Sequence, residues 1–324
     1  MRAIVVERWQ EPKELAAREV PDPVPRPGEV VLEVEAAGCN FFDILLVQGK
    51  YQMKPPFPFV PGAEVAGTVR EVAADVRGFA PGDRVFAGLS LGAFAERVAV
   101  PATALHRMPE AITFPEAAAF PIVYPTSYAA LVYRASLRAG ETLLVHAAAG
   151  GVGLAAVQIG KALGARVIAT AGGAEKLEVA RRAGADTVID YSRGDWVEAV
   201  KHATNGRGAD VIYDPVGGEI FDGSLRCIAW NGRLLVIGFA SGVIPEVKAN
   251  RILLKNIAVV GLHWGAYAQH EPARIPEVFA GLGKLYEEGL IRPLIFGTYG
   301  LDEVPQALEA LGGRATYGKV IIAP

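Results

Sequence analysis

The chain has 324 residues, 51% hydrophobic and 21% charged, with a net charge of −3. That is room for two hydrophobic cores under an ordinary globular surface, with no basic excess for nucleic acid and no acidic tail. Its 2 cysteines support neither a disulfide framework nor a four-cysteine zinc lobe, so the expected partners are small molecules, with nucleic acid and membrane excluded.

In chain order, "MRAIVVERWQE" alternates apolar and charged residues and contains no apolar stretch of signal-peptide length, so the expected location is cytoplasmic. Short β segments follow, "AIVVE", "EVVLEVEAAG", "EVAGTVREVA", "DRVFAG" and "FAERVAV", with turns at "PDPVPRPGE" and "FAPGDRV". They predict an irregular all-β domain over roughly the first hundred residues. From Thr142 the texture changes. The strands "TLLVHA", "RVIAT", "DTVID", "ADVIYD", "GRLLVIG" and "IAVVGL" alternate with the helical stretches "GVGLAAVQIGKALG", "EKLEVARRAGA" and "DWVEAVKHAT". Such alternation implies parallel strands joined by right-handed crossovers, a doubly wound sheet. The uncharged run Thr142 to Gly160 has the length of a membrane span, but Gly150-Gly151 interrupts it, and it reads as strand, loop and helix. After about Gly265 helix and turn signals return, followed by the apolar strand "GKVIIA". The fold expected is α/β, with residues 1–122 and 265–324 in the irregular β domain and 123–264 in the doubly wound domain.

The stretch "HAAAGGVGLAAVQ", residues 146–158, joins the first of these parallel strands to its helix, the context that a dinucleotide fingerprint requires. In the register A-x-G-x-x-G, Ala148 stands at the tight turn, Gly150 admits a pyrophosphate to the backbone, and Gly153 permits close helix–strand packing. Gly151 and Val152 begin a helix whose free N–H groups and positive dipole end suit a phosphate. Glycine-rich strand-to-helix turns also occur without a nucleotide; six strand signals tip the balance towards binding. At the end of the second strand an NAD enzyme carries an Asp or Glu for the ribose 2′-hydroxyl. Here Ala171, Gly172 and Gly173 lead to Lys176 with no acid at the tip, which favours NADPH, although Glu175 beside it counts the other way and a lysine there can be merely solvated.

Taken with "GCNFFDILLVQGKY", "PFVPGAEVAGTV", "PGDRVF", "YPTSYAAL" and "GGRATYGKVIIAP", this loop makes the chain resemble, over essentially its whole length, the zinc-free medium-chain dehydrogenases/reductases, close to the zeta-crystallin-like NADPH:quinone oxidoreductases. The resemblance implies a GroES-like domain beside a Rossmann domain and accounts for Ala148, since the AAxGGVG loop is usual in that branch. Zinc alcohol dehydrogenases carry a Cys three residues before an Asp, and a Gly-His-Glu. The matching positions here are Asn40 before Asp43, and Gly62-Ala63-Glu64, so two ligands of a tetrahedral site are replaced and no metal is expected. Without a Lewis acid an alkoxide is hard to stabilise, whereas a quinone or other conjugated carbonyl is activated by its own structure.

The resemblance further implies site residues. Asn40, at the former ligand position, is a candidate donor to a carbonyl or to the nicotinamide ribose. Tyr51 matches the proton-donor tyrosine of related enoyl reductases, a phenol suited to that role if a nearby cation or the ribose lowers its pKa. Thr126 matches a residue beside the nicotinamide. Plainer roles compete: Asn40 as a turn cap, Tyr51 as a loop aromatic on "KPPFPFVP", Thr126 as its own helix's first-turn cap. Tyr191 and Arg314 join Lys176 as matches to 2′-phosphate contacts, and Gly238 and Phe239 match a loop near the nicotinamide. His146, ending a buried strand, is expected to be a satisfied core histidine. The function expected is NADPH-dependent quinone reduction by a homodimer. Its rivals are a reductase of enal, enone or enoyl C=C bonds, which needs a proton on carbon, and a crystallin-like protein that binds NADPH without turnover.

Overall fold

The computed structural model describes residues 1–324. By its internal contacts the chain divides into two units, Met1–Ile122 with Pro293–Pro324, and Val123–Arg292.

The first unit opens with β1 (Arg2–Ile4) and β2 (Ala17–Glu19), an antiparallel pair. Then come β3 (Glu29–Cys39), α1 (Phe41–Val47), β4 (Glu64–Val72), β5 (Arg84–Gly88), β6 (Arg97–Pro101), β7 (Leu105–Arg107) and α2 (Phe114–Ala118). β3 is the long central strand, pairing antiparallel with both β4 and β6. At Gly67 the backbone of β3 comes so close that a Cβ would overlap the Glu33 carbonyl oxygen, which only glycine permits.

The second unit begins with α3 (Val123–Tyr128), which runs into a π-helical turn, Ala129–Arg134. It continues with β8 (Thr142–Val145), α4 (Gly151–Ala162), β9 (Arg166–Ala171), α5 (Ala174–Arg182), β10 (Thr187–Asp190), α6 (Trp196–Ala203), β11 (Ala209–Asp214), α7 (Gly218–Cys227), β12 (Ile228–Val236), α8 (Ala249–Lys255), β13 (Ala258–Gly261), α9 (Tyr267–His270) and α10 (Arg274–Glu287). Its six strands are all parallel in the order β10-β9-β8-β11-β12-β13. Chain direction therefore reverses across the sheet between β8 and β11, the topological switch point where open α/β sheets receive ligands. Leu144, Ile168, Ile212 and Leu234, one from each of four adjacent strands, are completely buried in its core.

The chain then returns to the first unit with β14 (Ile295–Gly300), α11 (Val304–Gly312) and β15 (Lys319–Ala323). β15 lies between β14 and β3, completing the sheet β14-β15-β3-β4-β5-β7 with β6 on β3. The fold is thus a GroES-like β unit and a Rossmann unit, α/β as the sequence predicts. One boundary differs. Residues 265–292, expected with the β unit, belong by their contacts to the second unit, because α10 packs on α3: Gly281 meets the Tyr128 ring, and the Arg274 guanidinium lies 4.6 Å over Tyr133. The run 142–160 is strand, turn and helix, and no helix is long and apolar enough to cross a membrane.

Candidate functional site

In the second unit the carboxyl ends of β8, β9 and β12 present three turns that carry the candidate residues. The turn after β8 brings the chain into α4. Its left-handed residue is Ala147, with φ of +47°, rather than Ala148, whose buried N–H donates to the Thr170 carbonyl. Glycine at 153 is demanded by packing: a Cβ there would overlap the Ala147 carbonyl oxygen and stand 2.8 Å from Ala148 Cα. At Gly150 no such demand exists, since a Cβ would meet only the Ala147 oxygen, at 3.4 Å. Gly150 is the N-cap of α4 and no side chain caps the helix, so the N–H groups of Gly151, Val152 and Gly153 begin a 12-residue helix with its dipole uncompensated. Beneath the turn, Ser127 Oγ donates to the Val152 carbonyl at 2.9 Å and pairs with buried Tyr213 Oη at 2.9 Å. Thr126 is the neighbour of this anchor and sits mid-helix in α3, so it does not cap its own helix start.

At the tip of β9, Gly172 lies against the half-exposed Tyr191, whose phenol oxygen would stand 3.1 Å from a Cβ. Gly173 caps α5 in a left-handed conformation, and Lys176 lies in the first turn of that helix. No acid stands at this tip, and β9 carries none. Asp190 at the end of β10 is aligned with Ala171, however, and accepts hydrogen bonds from Ser192 Oγ and N and from the Gly173 N–H, which hold its carboxyl below the usual range. The third turn, after β12, carries Gly238 and the exposed Phe239, whose ring packs on Gly217 in the β11–α7 turn. His146 is a core histidine, bonded to Thr170 Oγ1 at 2.8 Å and Ser224 Oγ at 2.9 Å, and burial depresses its pKa to about 3.

In the first unit the candidates gather where β3 ends and α1 starts. Asn40 is the N-cap residue of α1, yet its side chain makes no cap bond. It turns instead towards a buried charged cluster that sequence reasoning did not assemble. Lys319, at the start of β15 and only 4% exposed, donates to the Cys39 carbonyl at 2.8 Å, to Asn40 Oδ1 at 2.8 Å and to Glu64 Oε1 at 2.6 Å. Asn40 Nδ2 donates to the same Glu64 oxygen. Asp43 accepts the Asn40 backbone N–H at 2.8 Å on Oδ2. Its Oδ1 and Glu64 Oε2 are buried without partners. Burial, helped by Glu64 and opposed by the Asn40 N–H and Lys319, raises the Asp43 carboxyl to about 7. The Tyr51 ring lies tilted against Phe42, centroids 5.4 Å apart, while Trp9, Phe57 and Phe59 form a separate cluster; burial and then Asp43 push its phenol up, the opposite of what a proton donor needs. Arg314 belongs to this unit, in a left-handed residue after α11, whereas Lys176 and Tyr191 belong to the second. A lysine opening the apolar run "KVIIA" was the one available signal for the cluster.

Two family models match the chain: one described as an alcohol dehydrogenase GroES-like domain over residues 26–110, the other as a zinc-binding dehydrogenase over residues 151–280. The chain is 43% identical to the quinone oxidoreductase-like protein 2 homolog of Nematostella vectensis, over 91% of this chain and 81% of that one. It is 31% identical to the human quinone oxidoreductase, over 99% and 97%. Among solved structures, the Escherichia coli quinone oxidoreductase complexed with NADPH superimposes with a TM-score of 0.92 at 32% identity, covering 100% of both chains.

Proposed function

Since this chain belongs to the quinone oxidoreductase family of the medium-chain dehydrogenase/reductase superfamily, a family of oxidoreductases, we propose that it is an NADPH-dependent reductase of quinones and similar conjugated carbonyls. One observation carries the reading most directly. The uncapped N-terminus of α4 stands at the switch point of the sheet, preceded by a glycine that its own packing does not require. Such a turn fits a pyrophosphate. Ala148, Gly150, Gly151, Val152 and Gly153 would hold it, Gly172, Lys176 and Tyr191 would take the adenosine end, Gly238 and Phe239 would serve the nicotinamide, and Arg314 is assigned to the 2′-phosphate by the family resemblance alone. NADPH, when bound, supplies the hydride.

The remaining work falls to side chains of the chain itself. Asn40 donates an N–H to the acceptor oxygen where charge develops, and Thr126 helps to orient the reacting groups. A catalytic zinc does not fit the donor set. Ala63 offers no ligand atom, Asn40 offers no imidazole or thiolate, and Glu64 Oε1 is already shared by an ammonium and an amide. We therefore write the reaction without a metal. Reduction of a C=C bond is less well supported, because Tyr51 is made a weaker acid by its surroundings. The open edge strand β13 and the exposed Val243, Ile244, Leu253 and Leu254 support a homodimer.

The test is NADPH oxidation by the purified protein in oxygen-free buffer, against a simple quinone and a 2-enal at matched concentrations, with NADH as the control. Faster turnover of the quinone with NADPH is expected. Preference for the enal would overturn the substrate class, preference for NADH the cofactor, and tight NADPH binding with no turnover of either acceptor the assignment as an enzyme.

A further inference from the structure

Lys319 is a charge that stability does not explain. It opens a strand whose following residues, Val320, Ile321 and Ile322, are fully buried, and replacing a buried ion pair with apolar residues is commonly neutral or stabilising. Its ammonium has three protons, and all three are spent inside the protein, on Cys39 O, Asn40 Oδ1 and Glu64 Oε1. It therefore has no donor left for a substrate and can act only through what it holds.

What it holds is a carboxamide that could otherwise sit in either of two orientations. With Oδ1 on the ammonium and Nδ2 on the Glu64 carboxylate, both contacts are attractive. A flipped amide would set its NH2 against Lys319 and its oxygen against Glu64, turning both repulsive. Each Asn amide nitrogen carries two hydrogens, and Glu64 takes one. The other is the only hydrogen that this arrangement leaves the Asn40 side chain to donate, while Oδ1 already faces the ammonium.

We propose that Lys319 and Glu64 form a positioning pair that locks the Asn40 carboxamide in one orientation, so that its remaining N–H is held ready for ligands presenting a carbonyl oxygen. This rests on the placement of Asn40 in the active site made above.

The experiment is a double-mutant cycle on the full-length protein, with NADPH and 1,4-benzoquinone, reading kcat and both KM values. Asn40→Ala is expected to lower kcat on the order of 10²-fold, as loss of one oxyanion donor does. Lys319→Met is expected to lower kcat by a comparable factor with KM for NADPH unchanged, to cost less than about twofold more when Asn40 is already Ala, and to be partly rescued in Lys319→Arg. Equal losses in both backgrounds would show a merely structural lysine, and an unchanged kcat in Lys319→Met would also overturn the proposal while leaving Asn40 in place. An unchanged kcat in Asn40→Ala would instead overturn the placement of Asn40 and the lock with it. If Lys319→Met does not fold, Lys319→Gln, which keeps an N–H and removes the charge, is read through the same cycle.

Discussion

At Asp43 a buried carboxyl raised to about 7 from an ordinary 3.8 makes stability depend on pH. The native state keeps a proton that the unfolded chain releases near pH 4, so this contribution is whole below that pH and is lost as the pH climbs to 7, about 4 kcal/mol in all. Asp43→Asn cannot ionise and escapes the loss. Its melting temperature should exceed that of the parent at pH 8, with the advantage gone by pH 4; a constant offset across that range would show that the carboxyl does not titrate there. At Tyr51 the raised phenol makes a poor acid, so Tyr51→Phe should change quinone turnover by less than about threefold, where loss of a working general acid brings 10²-fold or more. A steady-state rate comparison decides it. Single residues were the hardest scale to read from sequence. Asn40 is visible as an altered family position and Asp43 and Glu64 as retained ones, but Lys319 lies 255 residues from Glu64, and nothing local announces a partner that distant.

The turn into α4 separates two kinds of glycine. Gly153→Ala forces a methyl into the Ala147 carbonyl and should cost about 1–3 kcal/mol of stability. Gly150→Ala meets no such obstacle, should cost no more than about 1 kcal/mol, and, with the pyrophosphate proposed to approach the backbone at this turn, should instead weaken NADPH at least about tenfold. Thermal melts paired with a fluorescence titration of NADPH distinguish the two; similar melting losses for both would remove the contrast. The strands of this unit were legible because β-branched runs alternate with amphipathic stretches, and the helix after β8 began where its glycines indicated. α7 was not, since "GEIFDGSLRC" is short of strong helix formers and follows Gly217, itself left-handed. Nor could the sequence reveal that Ala147, among three consecutive alanines, takes the left-handed conformation.

For the whole molecule, the boundary after α10 shows what periodicity cannot supply. The helix signals after Gly265 announce α10, but only the Tyr128 and Tyr133 rings against it decide which unit it joins. If β13 and its neighbouring leucines are the contact between two copies, the parent should sediment at twice the 34.3 kDa of one chain, and Leu253→Asp with Leu254→Asp should sediment at that single mass. A parent already at the single mass would refute the dimer. The placement of β15 also sets a timetable. Residue 319 leaves the ribosome 280 residues after Cys39, whose carbonyl it must meet, while every strand of the parallel sheet has by then been made. During synthesis the middle of the chain can fold on its own, whereas the first sheet waits, with the Ala37–Cys39 end of β3 unpaired on the side that β6 does not reach, for a strand translated near the end. A nascent chain halted just before Lys319 could therefore carry a finished nucleotide fold and still lack the lysine that orients Asn40.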